Sequence, residues 1–66
     1  MDTLLCVLLY LNVISPSGQY TTNDIQNFAT VYSAQINVAE NTPGQLPIIM
    51  NEFEGEAIVI QDSLGG

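Results

Sequence analysis

The sequence predicts an α+β domain: a mostly antiparallel sheet of three to four strands carrying one or two helices. Three observations support this. A capped amphipathic helix begins at Thr21, a polar–apolar alternation follows over Gln35–Glu40, and two β-branched runs are joined by a short acidic connection. The chain of 66 residues reads as a single domain, 1–66, with no linker or internal repeat.

The first element is the apolar run Thr3–Ile14, closed by the turn residues Ser15-Pro16-Ser17-Gly18. Nearly every position in it is apolar, so no period separates strand from helix. Cys6, Val7, Tyr10, Val13 and Ile14 favour a buried strand, while the leucines fit either state. Twelve residues are too few to cross a bilayer, which takes about 20. A secretory signal would also need cations ahead of the run, and only Met1 and Asp2 stand there. A core element is the expectation, with no membrane partner.

Thr21 reads as a helix N-cap, with Asp24 three positions on completing a capping-box pattern. Ile25, Phe28, Ala29 and Tyr32 then form one apolar stripe, and the helix is expected to fade near Ser33 to Gln35. Gln35–Glu40 alternates as a half-buried strand, and Asn41-Thr42-Pro43-Gly44 is a turn. Leu46–Phe53 and Ala57–Gln61 complete a hairpin through Glu54-Gly55-Glu56, leaving 62–66 as a tail. Several of these strands are apolar on both faces, and one helix covers only one face. Either the first segment is itself a helix, or the open face meets a partner such as a second copy.

Charge is the most informative feature for function. The chain has no lysine, arginine or histidine and seven aspartates and glutamates, a formal charge of −7. An ordinary domain of this size would carry about eight basic residues. Such a surface repels nucleic acid and anionic lipid and is drawn to basic grooves. Direct nucleic-acid binding is thereby excluded from the expected functions.

The acids are unevenly placed. Glu52, Glu54, Glu56 and Asp62 lie in the C-terminal quarter, with Glu40 and Asp24 upstream. In an extended backbone the first three share one face, with Phe53 on the other. They would then rise about 6.6 Å apart, close to twice the ~3.4 Å step of phosphates along a DNA strand. The same residues also fit a solvated hairpin tip. These six residues are the candidate partner-binding set.

No enzyme chemistry competes with this reading. Without histidine no conventional base activates Ser or Cys, and so short a chain has little interior for a cleft. The lone Cys6 has no second Cys or His with which to build a disulfide or a soft-metal site. It reads as a small buried hydrophobe in a reducing cytosol, with a disulfide-linked dimer or a reactive thiol as the other readings. No cofactor is expected.

The ending Ser63-Leu64-Gly65-Gly66, with the run Gly55–Ile60 before it, resembles the diglycine tail of ubiquitin-like sulfur carriers. That resemblance implies a β-grasp fold and a terminal glycine offered to an activating enzyme. In size and composition the chain resembles the small acidic inhibitors of bacteriophages and mobile elements, DNA-mimic anti-CRISPR proteins among them. That resemblance implies a host nucleic-acid-binding protein, such as a CRISPR effector complex, occluded at its basic groove in the host cytoplasm.

Overall fold

The computed structural model describes residues 2–65 and contains four helices: α1 (Asp2–Tyr10), α2 (Thr22–Val31), α3 (Ser33–Asn41) and α4 (Gln45–Ser63). The expected α+β fold is overturned. Among the described residues the only β-pairing is an isolated parallel bridge between Thr21 and Gly65. The capped helix at Thr21 is present, whereas all of the expected strands are helical.

The apolar N-terminal run becomes α1 because a helix can bury such a run on every side. Leu5, Cys6, Val7, Leu8 and Leu9 are consecutive and at most 3% exposed. A helix apolar all round is stable only when other elements wrap it. Here α4 provides the largest contact, with α3 and α2 completing the sheath. The covering problem posed by a sheet greasy on two faces disappears with the sheet.

The end of α1 is a Schellman-type stop. Asn12 takes the left-handed conformation at φ 61°. Its N–H donates to the Leu9 carbonyl at 3.1 Å, and the Val13 N–H donates to Leu8 at 3.0 Å. Asparagine tolerates this backbone better than most residues. Ser15 then opens a turn closed by the Gly18 N–H at 3.0 Å. The Ser15 N–H donates to the Tyr20 hydroxyl at 2.9 Å, folding the phenol ring back over the turn. A Cβ on Gly18 would stand 2.6 Å from that ring, so any larger residue would push the phenol aside.

The N-terminus of α2 forms as its sequence dictates. The Asp24 N–H donates to Thr21 Oγ1 at 3.0 Å, and the Thr21 N–H donates to Asp24 Oδ2 at 3.1 Å. Ile25 is buried, and Phe28 packs edge-on against Tyr20 with ring centroids 6.1 Å apart. Tyr32 bends the chain between α2 and α3 at φ −104°, ψ 21°, although the i→i−4 bonds from Tyr32 and Ile36 carry on across the joint.

The Gln35–Glu40 segment is the middle of α3, not a strand. A strand would put Ile36 and Val38 on the same face. Instead Ile36 and Ala39 are buried at helical spacing, and Val38 is 68% exposed. Of the turn expected at 41–44, residues 42–44 do form one, with Asn41 closing α3 and Gly44 at φ 77° leading into α4.

Residues 45–63, expected as a hairpin, are one 19-residue helix. Pro47 is tolerated because it sits in the first turn, where its missing N–H has no intrahelical partner to lose. Leu46, Ile49, Phe53, Ala57 and Ile60 form the inward stripe against α1 and α3. Gly55 does not reverse the chain but stays inside the helix. The helix ends at Leu64, and Gly65 is clamped between two backbone bonds. Its N–H donates to Tyr20 at 3.3 Å and its carbonyl accepts from Thr22 at 2.9 Å.

This architecture is not a β-grasp, so the resemblance to sulfur carriers lacks the fold it implied. Of the two terminal glycines, Gly65 is tied to the body of the protein and Gly66 lies outside the described residues.

Candidate functional site

The carboxylates of α4 are arranged by helical geometry. At 3.6 residues per turn, Glu52 and Glu56 stand about 40° apart and about 6 Å along the axis. Glu54 is displaced from both by roughly 160°. The expectation of three glutamates on one face, which required an extended backbone, is therefore corrected. Glu52 and Glu56 flank one side of the buried stripe, and Glu54 flanks the other. Phe53, between them in sequence, is half-buried in the core because helical spacing sets it on the inward stripe, not because a strand alternates.

The other acids lie at helix ends. Asp24 caps the start of α2 through Thr21, where the helix dipole favours negative charge. The Thr21–Gly65 bridge brings that end of α2 to the C-terminal end of α4, which carries Asp62. Glu40 occupies the last turn of α3, beside the turn into α4.

Asp24, Glu40, Glu52, Glu54, Glu56 and Asp62 are all exposed, and no polar or charged residue appears among the buried described residues. Among the described residues no three acidic or thiol groups converge in a metal-holding set. The acids therefore form a spaced array around α4 and its two ends.

Several of these positions oppose local stability. The last turns of α3 and α4 hold no basic residue, although cations are favoured at helix C-termini by a few tenths of a kcal/mol or more. Glu40 and Asp62 stand there instead. Glu52 and Glu56 are like charges at i, i+4, a spacing that costs about 0.2–0.5 kcal/mol. Of these six acids, only Asp24 is placed where it helps its helix.

Two open grooves lie on the surface between elements. One, of about 340 Å³, runs between the end of α1 and α3, with Tyr10, Leu11, Val38 and Thr42 in its walls. The other, of about 470 Å³, is formed by Gln19, Tyr20, Thr21, Ser63 and Gly65. Neither is lined by a carboxylate. Cys6 lies buried in α1, as its apolar surroundings predicted.

Sequence reasoning missed an exposed aliphatic set on α4. Ile48 is 60% exposed, Val59 63% and Ile58 44%. The available signal was the 3–4 spacing of Leu46, Ile49, Phe53, Ala57 and Ile60, which leaves these three off the inward stripe.

No helix among the described residues is long and apolar enough to cross a membrane. Comparison with protein-family models, curated proteins and solved structures gives no match to this chain.

Proposed function

We propose that this protein is a small acidic inhibitor that binds the basic groove of a nucleic-acid-handling protein and occludes it. One observation carries the reading: a chain without a single lysine, arginine or histidine keeps every described carboxylate exposed. Two of those carboxylates stand at helix C-termini, where a cation would favour the fold. Stability alone does not account for that choice, whereas recognition by lysines and arginines does.

The mechanism is steric and electrostatic competition without catalysis or cofactor. The ~6 Å rise between Glu52 and Glu56 lies close to the ~6.8 Å between alternate phosphates of one DNA strand. Glu54, Glu40, Asp24 and Asp62 extend the negative field around the helix and steer the protein into a positive cleft. A host cytoplasmic complex that grips DNA or RNA, such as a CRISPR effector, is the class of target this chemistry fits.

The test is capture from host lysate at low salt, with bound proteins identified by mass spectrometry and then challenged with DNA. The expected catch is a nucleic-acid-binding protein that competing DNA displaces. Replacing Glu52, Glu54 and Glu56 together by glutamine should abolish capture while leaving the helical circular-dichroism signal intact. Capture unaffected by DNA, by salt and by this triple substitution would overturn the reading.

A further inference from the structure

The outward side of α4 is the least explained surface of the molecule. Ile48, Glu52, Gly55, Val59 and Asp62 succeed one another at steps of four, three, four and three residues, so they form one stripe along the helix. Ile48 and Val59, near its ends, are 60% and 63% exposed. They stand about 16 Å apart along the axis. Gly55 lies between them, and a Cβ there would meet nothing within 4 Å. Nothing inside the protein requires a glycine at this place, and glycine weakens a helix interior relative to alanine.

The surroundings set this pair apart from the other exposed valines. Val31 and Val38 are 63% and 68% exposed, but their neighbours one turn away on α2 and α3 are uncharged. Val59 instead has Glu56 and Asp62 three residues to either side, and Ile48 has Glu52 one turn on. A partner that covers the aliphatic pair must therefore bring cations beside its apolar contacts. A second copy brings seven more negative charges and no lysine, arginine or histidine. An added strand has no sheet edge to join among the described residues, since the only β-pairing is the Thr21–Gly65 bridge.

We infer that this face of α4 receives a basic amphipathic helix of the target, seated on Ile48 and Val59 and crossing closest over Gly55. The lysines and arginines flanking that helix's apolar ridge meet Glu52, Glu56 and Asp62. The missing side chain at Gly55 lets the two backbones approach, as small residues do at other helix crossings. This inference rests on the reading above, that the target surface is basic, and adds what part of that surface makes contact.

Two synthetic helical peptides of equal positive charge serve as probes. One has leucines in a single stripe flanked by lysines, and the other has the leucines replaced by glutamine. The leucine peptide is expected to bind at least tenfold tighter by calorimetry, with NMR shifts centred on Ile48, Gly55 and Val59. Ile48→Ser with Val59→Ser should erase that difference and leave the glutamine peptide's affinity unchanged. Gly55→Gln should weaken the leucine peptide about tenfold while making the free protein more stable, so unfolding cannot explain the loss. Equal affinity for the two peptides, or shifts centred on the Tyr10–Val38 groove, would overturn the inference and leave the functional reading standing. No binding of either peptide at low salt would overturn both.

Discussion

α1 and α4 are both rich in aliphatic residues, yet they use them in opposite ways. In α1 five consecutive side chains are almost completely buried, and the helix is enclosed by its neighbours. In α4 the inward stripe is buried, while Ile48, Ile58, Val59 and four carboxylates face outward. α1 holds the fold together and has no charge in residues 3–10 to offer a partner. In the proposed reading α4 serves both roles, because its 19 residues give it more surface than the core can use. α1 is thus almost wholly buried, whereas exposed aliphatic and acidic side chains are concentrated on α4, and substitutions should separate the two.

The largest effect is expected in α1. Leu8→Ala removes a fully buried side chain and should cost about 2–5 kcal/mol. A domain of this size has only about 3–10 kcal/mol in total by the usual per-residue range. Val59→Ala, at a position 63% exposed, should change stability by less than about 0.5 kcal/mol. Urea unfolding followed by circular dichroism measures both. Comparable losses from the two substitutions would mean that the outward side of α4 is also part of the core.

A smaller effect of opposite sign is expected at the centre of α4. Gly55→Ala should stabilise the free protein by about 0.5–1 kcal/mol, since the added methyl meets open space and the helix gains propensity. That corresponds to a midpoint several degrees higher in a thermal melt for so small a domain. A lower midpoint would reveal a close packing contact at Gly55 within the folded protein, and the contrast between α1 and the outer face of α4 would weaken.

The same two regions explain what could be read from the chain and what could not. The start of α2 was legible because a capping box is a local device, set by Thr21 and Asp24 alone. The turn at 42–44 was legible for the same reason, through Pro43 and Gly44. α1 was ambiguous because continuous apolarity removes the periodicity that distinguishes the two states. The overlooked cue was Asn12, a residue suited to the left-handed helix stop it makes. In α3 six residues of alternation were too few, since Ile36 with Val38 suggests a strand as readily as Ile36 with Ala39 suggests a helix. In α4, Pro47 and Gly55 looked like strand punctuation, and the Ile-Ile and Ile-Val-Ile runs looked like β-propensity. Packing of the longer Leu46–Ile60 stripe against α1 outweighed both. The acids were singled out by composition and all six candidates are exposed, but their shared face depended on a backbone the chain does not adopt.

The smallest predicted effect concerns salt, and its sign carries the information. In most proteins added salt screens attractions as well as repulsions. Here no lysine, arginine or histidine exists to form an attractive side-chain pair, and the acids sit within a body only 34 × 24 × 16 Å. The screening length falls from about 30 Å at 0.01 M to about 8 Å at 0.15 M, so ordinary salt already weakens the repulsion among them. Sodium chloride should therefore stabilise the fold modestly, by about 1 kcal/mol or less, most visibly as slower amide exchange in the acid-bearing half of α4. The amides of α1 should respond only through global unfolding. Binding to a basic groove must respond in the reverse direction, because there the same ions screen an attraction. Thermal melts and affinity measured over one salt series would thus move oppositely if the carboxylates of α4 act outward. A fall in both with salt would show that the acids take part in attractive contacts within the fold, and the separation between a buried α1 and an outward-acting α4 would no longer hold.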